Sequence, residues 1–272
     1  MWRKVLAVIA VILLLAGLGF LLFPPISNFI GKQKAETAAQ SFDKASSSVV
    51  DTVTADDGTV VNNAKEAKEH GMQVNDEGWV IDTSGDNGYG EPIIFKMDID
   101  KLYRDSLAYN RMLLTGQGTA DTTDFTKAAL DITEYGLYDY SYGYVSADSI
   151  GMKLPGFLGA SYYMMSFGAT HLYGTSLPIG SESENCAISG HTDYIGRIFF
   201  DNIRYLEIGD TVKFTNYWDT LEYKVIDHKI IKPNDGSDLA IQKGRQLLTL
   251  ITCIPDGNGD FDRYIVICER DK

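Results

Sequence analysis

Cysteine is scarce in this chain: three residues in 272, at Cys186, Cys253 and Cys268. An external domain built on disulfides normally carries more, in even number, so a disulfide scaffold is excluded and a thiol remains for chemistry. Histidine is nearly as rare, with four residues scattered singly. No pair has the spacing of metal ligands, and no metal site is expected. Positive charge is also short, with 24 Lys and Arg against 37 Asp and Glu and a formal net charge of -13. Such a chain repels phosphate, which excludes a nucleic-acid role. No repeat period is visible.

Charge of either sign is missing from Val5 to Phe23 in "MWRKVLAVIAVILLLAGLGFLLFPP". About 19 helical residues at ~1.5 Å each cover the ~30 Å of a bilayer's hydrocarbon, and the run is too long for a cleaved signal peptide. Arg3 and Lys4 precede it, so the positive-inside rule keeps the tail in the cytoplasm and the rest outside. Residues 1–31 are therefore expected to form a tail and single-pass anchor. Residues 32–97, rich in Ala, Ser, Asp, Gly and Asn, are expected to form an acidic, partly helical stalk without a core.

In 98–141, Asp98 suits an N-cap, and Ile99, Leu102, Tyr103, Leu107 and Leu114 recur at helical spacing. The loop "TGQGTADTTDF" ends that helix and carries Asp124 and Phe125. From Tyr142 onward short β-like runs alternate with turn chemistry, "NCAISGH", "DTVKFTN", "LEYKVIDHKIIKP", "QLLTLITC" and "RYIVICER" among them. This pattern predicts a mainly β domain over 142–272, a closed barrel with minor helices.

Cys186 and Cys268 lie inside apolar runs, where a thiol acts as a small hydrophobe. Cys253 ends its run before a Gly/Asp loop, which places it at a rim. A thiol of reference pKa ~8.5 is a weak nucleophile at neutral pH without a cationic or proton-accepting neighbour. Arg263 and a histidine are candidates. His191 follows an apolar strand and a Ser-Gly break. His70 sits in a charged helical zone, His228 on a strand surface, and His171 reads as a structural hydrogen-bonding residue.

"YGYVSADSIGMKLPGFLGAS", "GATHLYGTSLPIGSESENCAISGHT" and the TLxTC pattern "TLITC", followed by Arg263, resemble a sortase, and within that family the pilin-polymerising class C. The resemblance spans Tyr142 to Arg270. It implies an eight-stranded sortase-type β-barrel, His191, Cys253 and Arg263 as catalytic residues, and no cofactor. It implies cleavage of an LPxTG-like sorting signal between Thr and Gly, with transfer of the acyl group to an amine, a pilin lysine or a peptidoglycan precursor. Thr252, Leu239 and Ile241 are the expected substrate-groove residues, the last two also suiting a core. Three features depart from class C. The Asp124–Phe125 pair, the candidate lid, lacks a proline; the chain stops at Lys272 without a second apolar span; and Lys32 to Glu91 has no counterpart. Two other classes compete: a cell-wall cysteine hydrolase and a non-catalytic tethered barrel.

Overall fold

The computed structural model describes residues 2–44, 52–74, 80–82, 91–93, 95, 97–116, 126–135, 141–192 and 199–271. Helix α1, Trp2–Lys44, holds the apolar run and is long and apolar enough over Trp2–Thr37 to cross a membrane. It does not stop where the anchor was expected to end. Gln33, Lys34, Ala35, Glu36, Ala38 and Ala39 are strong helix formers, and they carry the helix past residue 31. Ala35 is buried in the cluster that also holds the barrel core, and α1 packs on the barrel strands Ser141–Ala147 and Met152–Leu158.

The expected coreless stalk contains a core. A hairpin of β1, Val53–Thr54, and β2, Val60–Val61, turns at Gly58, whose φ of 87° favours glycine. Helix α2, Ala64–Glu69, follows, with the Asn63 side chain accepting from the Glu66 N–H at 2.8 Å. Strands β3, Val80–Asp82, and β4, Glu91–Ile93, then pair antiparallel. Ala55, Val61, Ala64, Ala67, Val80 and Phe95 are buried together. Small residues spaced over 40 positions give no periodic signal, which is why this cluster escapes a window-based reading. Lys65 fastens α2 to the next segment through Glu134 and, at 3.6 Å, Asp131.

Helix α3, Ile99–Gly116, starts where expected, with the Lys101 N–H donating to the Asp98 carboxylate at 2.9 Å. Its buried face is Leu102, Ser106, Tyr109 and Asn110, whereas Tyr103 and Leu114 of the expected face are exposed. Polar partners turn the helix. Asn110 exchanges two hydrogen bonds with the backbone of Leu177, at 2.8 and 2.9 Å, and Ser106 bonds the Tyr142 hydroxyl at 2.8 Å. Buried polar groups satisfied in this way cost little, and an apolarity count cannot see them.

The remaining strands are β5, Ser141–Ala147; β6, Met152–Leu158; β7, Ala169–His171; β8, Glu184–Ser189; β9, Thr211–Thr215; β10, Thr220–Ile231; β11, Gln246–Pro255; and β12, Phe261–Glu269. They close as β10-β12-β11-β8-β7-β6-β5-β9, the eight-stranded barrel expected. Pairing is parallel at β11 with β8 and at β6 with β7. Alternation sorts the side chains of β11 and β12. Leu248, Leu250, Val266 and Cys268 join the main core, while Leu247, Ile251, Ile265 and Ile267 join a second cluster on the opposite face with Leu239 and Ile231. Each fully buried Leu or Ile side chain contributes about 1.5 to 3 kcal/mol.

Candidate active site

The β11–β12 hairpin sets the site. Its register places Cys253 opposite Arg263, so both side chains leave the sheet on one face, the face of Ile251 and Ile265. Ile231 of β10 flanks Arg263 on its other side. Beyond this pair the strands close through "DGNGD", where the Asp256 carboxylate accepts the Asn258 N–H at 2.7 Å and Gly257 and Gly259 take φ of 81° and 96°. Hairpin pairing therefore ends two residues past Cys253, and the thiol is exposed while Cys186 and Cys268 are buried. Burial pushes the Cys186 and Cys268 thiols well up from their ordinary range.

β8, parallel to β11, supplies the histidine. The Gly190 N–H donates to Ile251 O at 3.2 Å and the Thr252 hydroxyl donates to Gly190 O at 2.7 Å, which fixes the backbone leading into His191. Gly190 is required there because the Phe200 ring would lie 2.7 Å from a Cβ. The Phe200 N–H bonds His191 O at 2.9 Å. Thr252, expected in the substrate groove, is buried with its hydroxyl bonded to that backbone, and it borders the cavity beside Cys253.

His191, Cys253 and Arg263 line one cavity of about 180 Å³ whose remaining walls include Ala160, Met165, Leu172 and Ile251. The Arg263 guanidinium is half-buried, and its Nη1 donates to the Phe261 and Asp262 carbonyls at 3.2 and 3.3 Å. Asp262 is in turn paired with Lys232 at 2.9 Å. The arrangement presents a thiol, an imidazole and a planar cation to an apolar slot, which suits attack on a carbonyl followed by proton transfer.

The other expected residues fall elsewhere. Leu239 is fully buried in the second core cluster, and Ile241 is half-buried; neither is among the residues lining this cavity. Asn185 anchors their connection to β8, donating to the Asp238 and Ala240 carbonyls at 2.9 and 3.2 Å. Asp124 and Phe125 lie outside the described residues. His171 is buried, with Nε2 donating to the Thr175 and Ser176 carbonyls at 3.0 and 3.1 Å. His70 pairs with Asp57 at 2.8 Å. His228, expected on a strand surface, is half-buried and bonds the Tyr264 hydroxyl at 2.9 Å through Nδ1. A bulge between Val225 and Asp227 shifts the register of β10 and turns it inward. Among the described residues no cluster of three His, Cys, Asp or Glu side chains could hold a metal ion.

Sequence reasoning missed Asp201, Arg204 and Tyr264, which border Cys253 from the opposite side. Tyr264 had one signal available: it follows Arg263 directly, and strand alternation sends it to the other face.

A sortase domain model matches residues 145–271. Sortase C-1 from Actinomyces oris is 30% identical, with 64% of this chain and 99% of that chain covered and a TM-score of 0.57. A pilus-related sortase C of Group B Streptococcus is 31% identical over 64% of this chain and 89% of that one, with a TM-score of 0.54. Sortase C-1 from Streptococcus pneumoniae is 29% identical over 64% and 90%, with a TM-score of 0.57. No curated protein sequence matches. Nearly the whole length of the Actinomyces enzyme is superposed at that identity, and the matched domain carries the barrel and the thiol rim alike, so the chain belongs to the sortase family of cysteine transpeptidases.

Proposed function

We propose that this protein is a membrane-anchored sortase that cleaves an LPxTG-like signal between Thr and Gly and passes the acyl group to a pilin lysine. The observation that carries the reading is the pairing of Cys253 with Arg263 at the mouth of an apolar cavity that His191 also lines. Ala160, Met165, Leu172 and Ile251 offer the Leu and Pro side chains of such a signal an apolar slot.

Cys253 attacks the Thr carbonyl, and the Arg263 fork stabilises the oxyanion or orients the signal. His191 gives a proton to the departing glycine amine, leaving a thioester on Cys253. The incoming amine then forms the amide bond as the carbon–sulfur bond breaks, and His191 carries the amine's proton to the thiolate. Helix α1 is the anchor, with the barrel outside the cell; Arg3 and Lys4 support that orientation.

The lysine acceptor is supported by the sortase C relatives, one of them described as pilus-related. Cell-wall anchoring is the alternative acceptor chemistry. Both are tested by offering the detergent-solubilised chain a protein with an LPxTG-like tail, a lysine-bearing pilin domain and a peptidoglycan stem peptide. Isopeptide-linked ladders are expected. Stem-peptide adducts alone would overturn the pilin acceptor, and hydrolysis alone would favour a hydrolase.

A further inference from the structure

Cys253 lies where two cavities meet. The first is the apolar one holding His191 and Arg263; the second, about 80 Å³, is lined by Thr192, Phe200, Asp201, Ile203, Arg204 and Tyr264 beside the end of β11. Thr252 and Cys253 are the residues the two linings share. The chain passes from one to the other across a single peptide bond, His191 lining the first and Thr192 the second. A transpeptidase must admit an amine to its thioester while the acyl chain still fills the donor side, so one sulfur needs two approaches.

We propose that the second cavity is the acceptor subsite, that it takes the ammonium tip of a lysine side chain, and that Asp201 is its specificity-determining residue. This rests on the reading of Cys253 as nucleophile. A half-buried carboxylate attracts an ammonium more strongly than one in open water, because the local dielectric is lower. At about 80 Å³ against about 180 Å³, the space is less than half that of the first cavity, which suits the end of one side chain. Arg204, the cation in the lining, has its guanidinium 5.2 Å from the Tyr205 ring centroid. The Tyr264 hydroxyl is held by His228 Nδ1 at 2.9 Å.

The docked ammonium releases one proton to solvent. Its nitrogen then attacks the thioester carbonyl; the carbon–nitrogen bond forms, the carbon–sulfur bond breaks, and the second proton passes through His191 to the Cys253 thiolate. The products are an amide and a free thiol.

The test bypasses the sorting signal. Cys253 of the detergent-solubilised full chain is acylated by exchange with a short peptide thioester, and the thioester is divided between water and an added nucleophile. Nα-acetyl-lysine amide is cationic at neutral pH; hydroxylamine is neutral. In Asp201→Asn the yield with the lysine derivative, relative to hydrolysis, should fall at least about tenfold, while the hydroxylamine yield relative to hydrolysis changes less than about twofold. Asp201→Glu should restore much of the lysine preference. Equal losses with both nucleophiles, or an unaltered lysine-to-hydroxylamine ratio, would overturn the subsite alone. A wild-type chain that cannot be acylated at Cys253 would overturn the nucleophile assignment and the subsite with it.

Discussion

The barrel interior and the barrel rim hold the same functional group under opposite conditions. Cys186 and Cys268 sit in the main core, where burial disfavours their thiolates and leaves them to fill volume. Cys253 lies on the same strand pair as Cys268, at the open end, beside a guanidinium and an imidazole. Position along two strands thus separates a buried thiol from an exposed one. The β11–β12 register makes the separation: Leu248 faces Cys268 inside, and five residues further along β11, on the other face, Cys253 faces Arg263.

The sharpest way to break that contrast is to exchange the roles. Cys253→Ala should reduce cleavage of an LPxTG peptide to background, a loss of at least ~10³-fold, with the unfolding midpoint unchanged, because a rim thiol fills little volume. Cys268→Ala should do the reverse, keeping activity while lowering stability by about 1 kcal/mol or more. Residual turnover in the first variant, or dead enzyme from the second with its fold intact, would reverse the assignment.

Arg263→Lys tests whether the rim needs a fork or only a charge. The ammonium keeps the charge but not the planar donor set, so kcat should drop on the order of 10²-fold at unchanged stability. Normal kcat would reduce Arg263 to a general positive charge.

The interior's own titration concerns His171. Burial lowers its pKa from 6.5 to about 4, against the raising effect of its bonds to the Thr175 and Ser176 carbonyls. The folded state therefore resists protonation that the unfolded chain accepts, so the contribution is present above pH 6.5 and is lost as pH falls toward 4. The loss is about 3 kcal/mol at ~1.36 kcal/mol per pKa unit. Urea midpoints measured between those pH values should fall in the wild type and flatten in His171→Asn. A slope unchanged by the substitution would place the titration elsewhere.

The smallest effect concerns Asp124 and Phe125, the candidate lid pair of the sequence. Alkylation of the native chain should label Cys253 ahead of the two interior thiols, and Phe125→Ala should speed that labelling severalfold. Equal rates would make Asp124 and Phe125 ordinary loop residues.

Much of the candidate site's geometry was legible in the sequence. A β-branched run ending in a thiol, a Gly/Asp loop and an arginine opening the next run describe a hairpin, and the hairpin alone sets Cys253 opposite Arg263. His191 was legible through its Ser-Gly break after an apolar strand. Leu239 was not separable: a buried Leu and a groove Leu share one pattern, and only the packing of the β10–β11 connection that carries it puts it in the core. Tyr264 was legible only through strand alternation after Arg263, and Asp201 carried no motif, since its nearness to Cys253 depends on a distant segment reaching the end of β11.

By itself, then, the sequence determined the local matters: the apolar N-terminal helix, the start of α3 at Asp98, the alternating strands, and the exposure of one thiol out of three. These follow from periodicities and turn residues that act within a few positions. Tertiary structure decided what distant segments do to one another. It gathered Ala55, Ala67, Val80 and Phe95 into a core, rotated α3 so that Asn110 could bond the Leu177 backbone, and buried His171 while leaving His191 at the cavity. Small residues and polar side chains have no periodic signature, and their energetics depend on partners that only the closed barrel brings within reach.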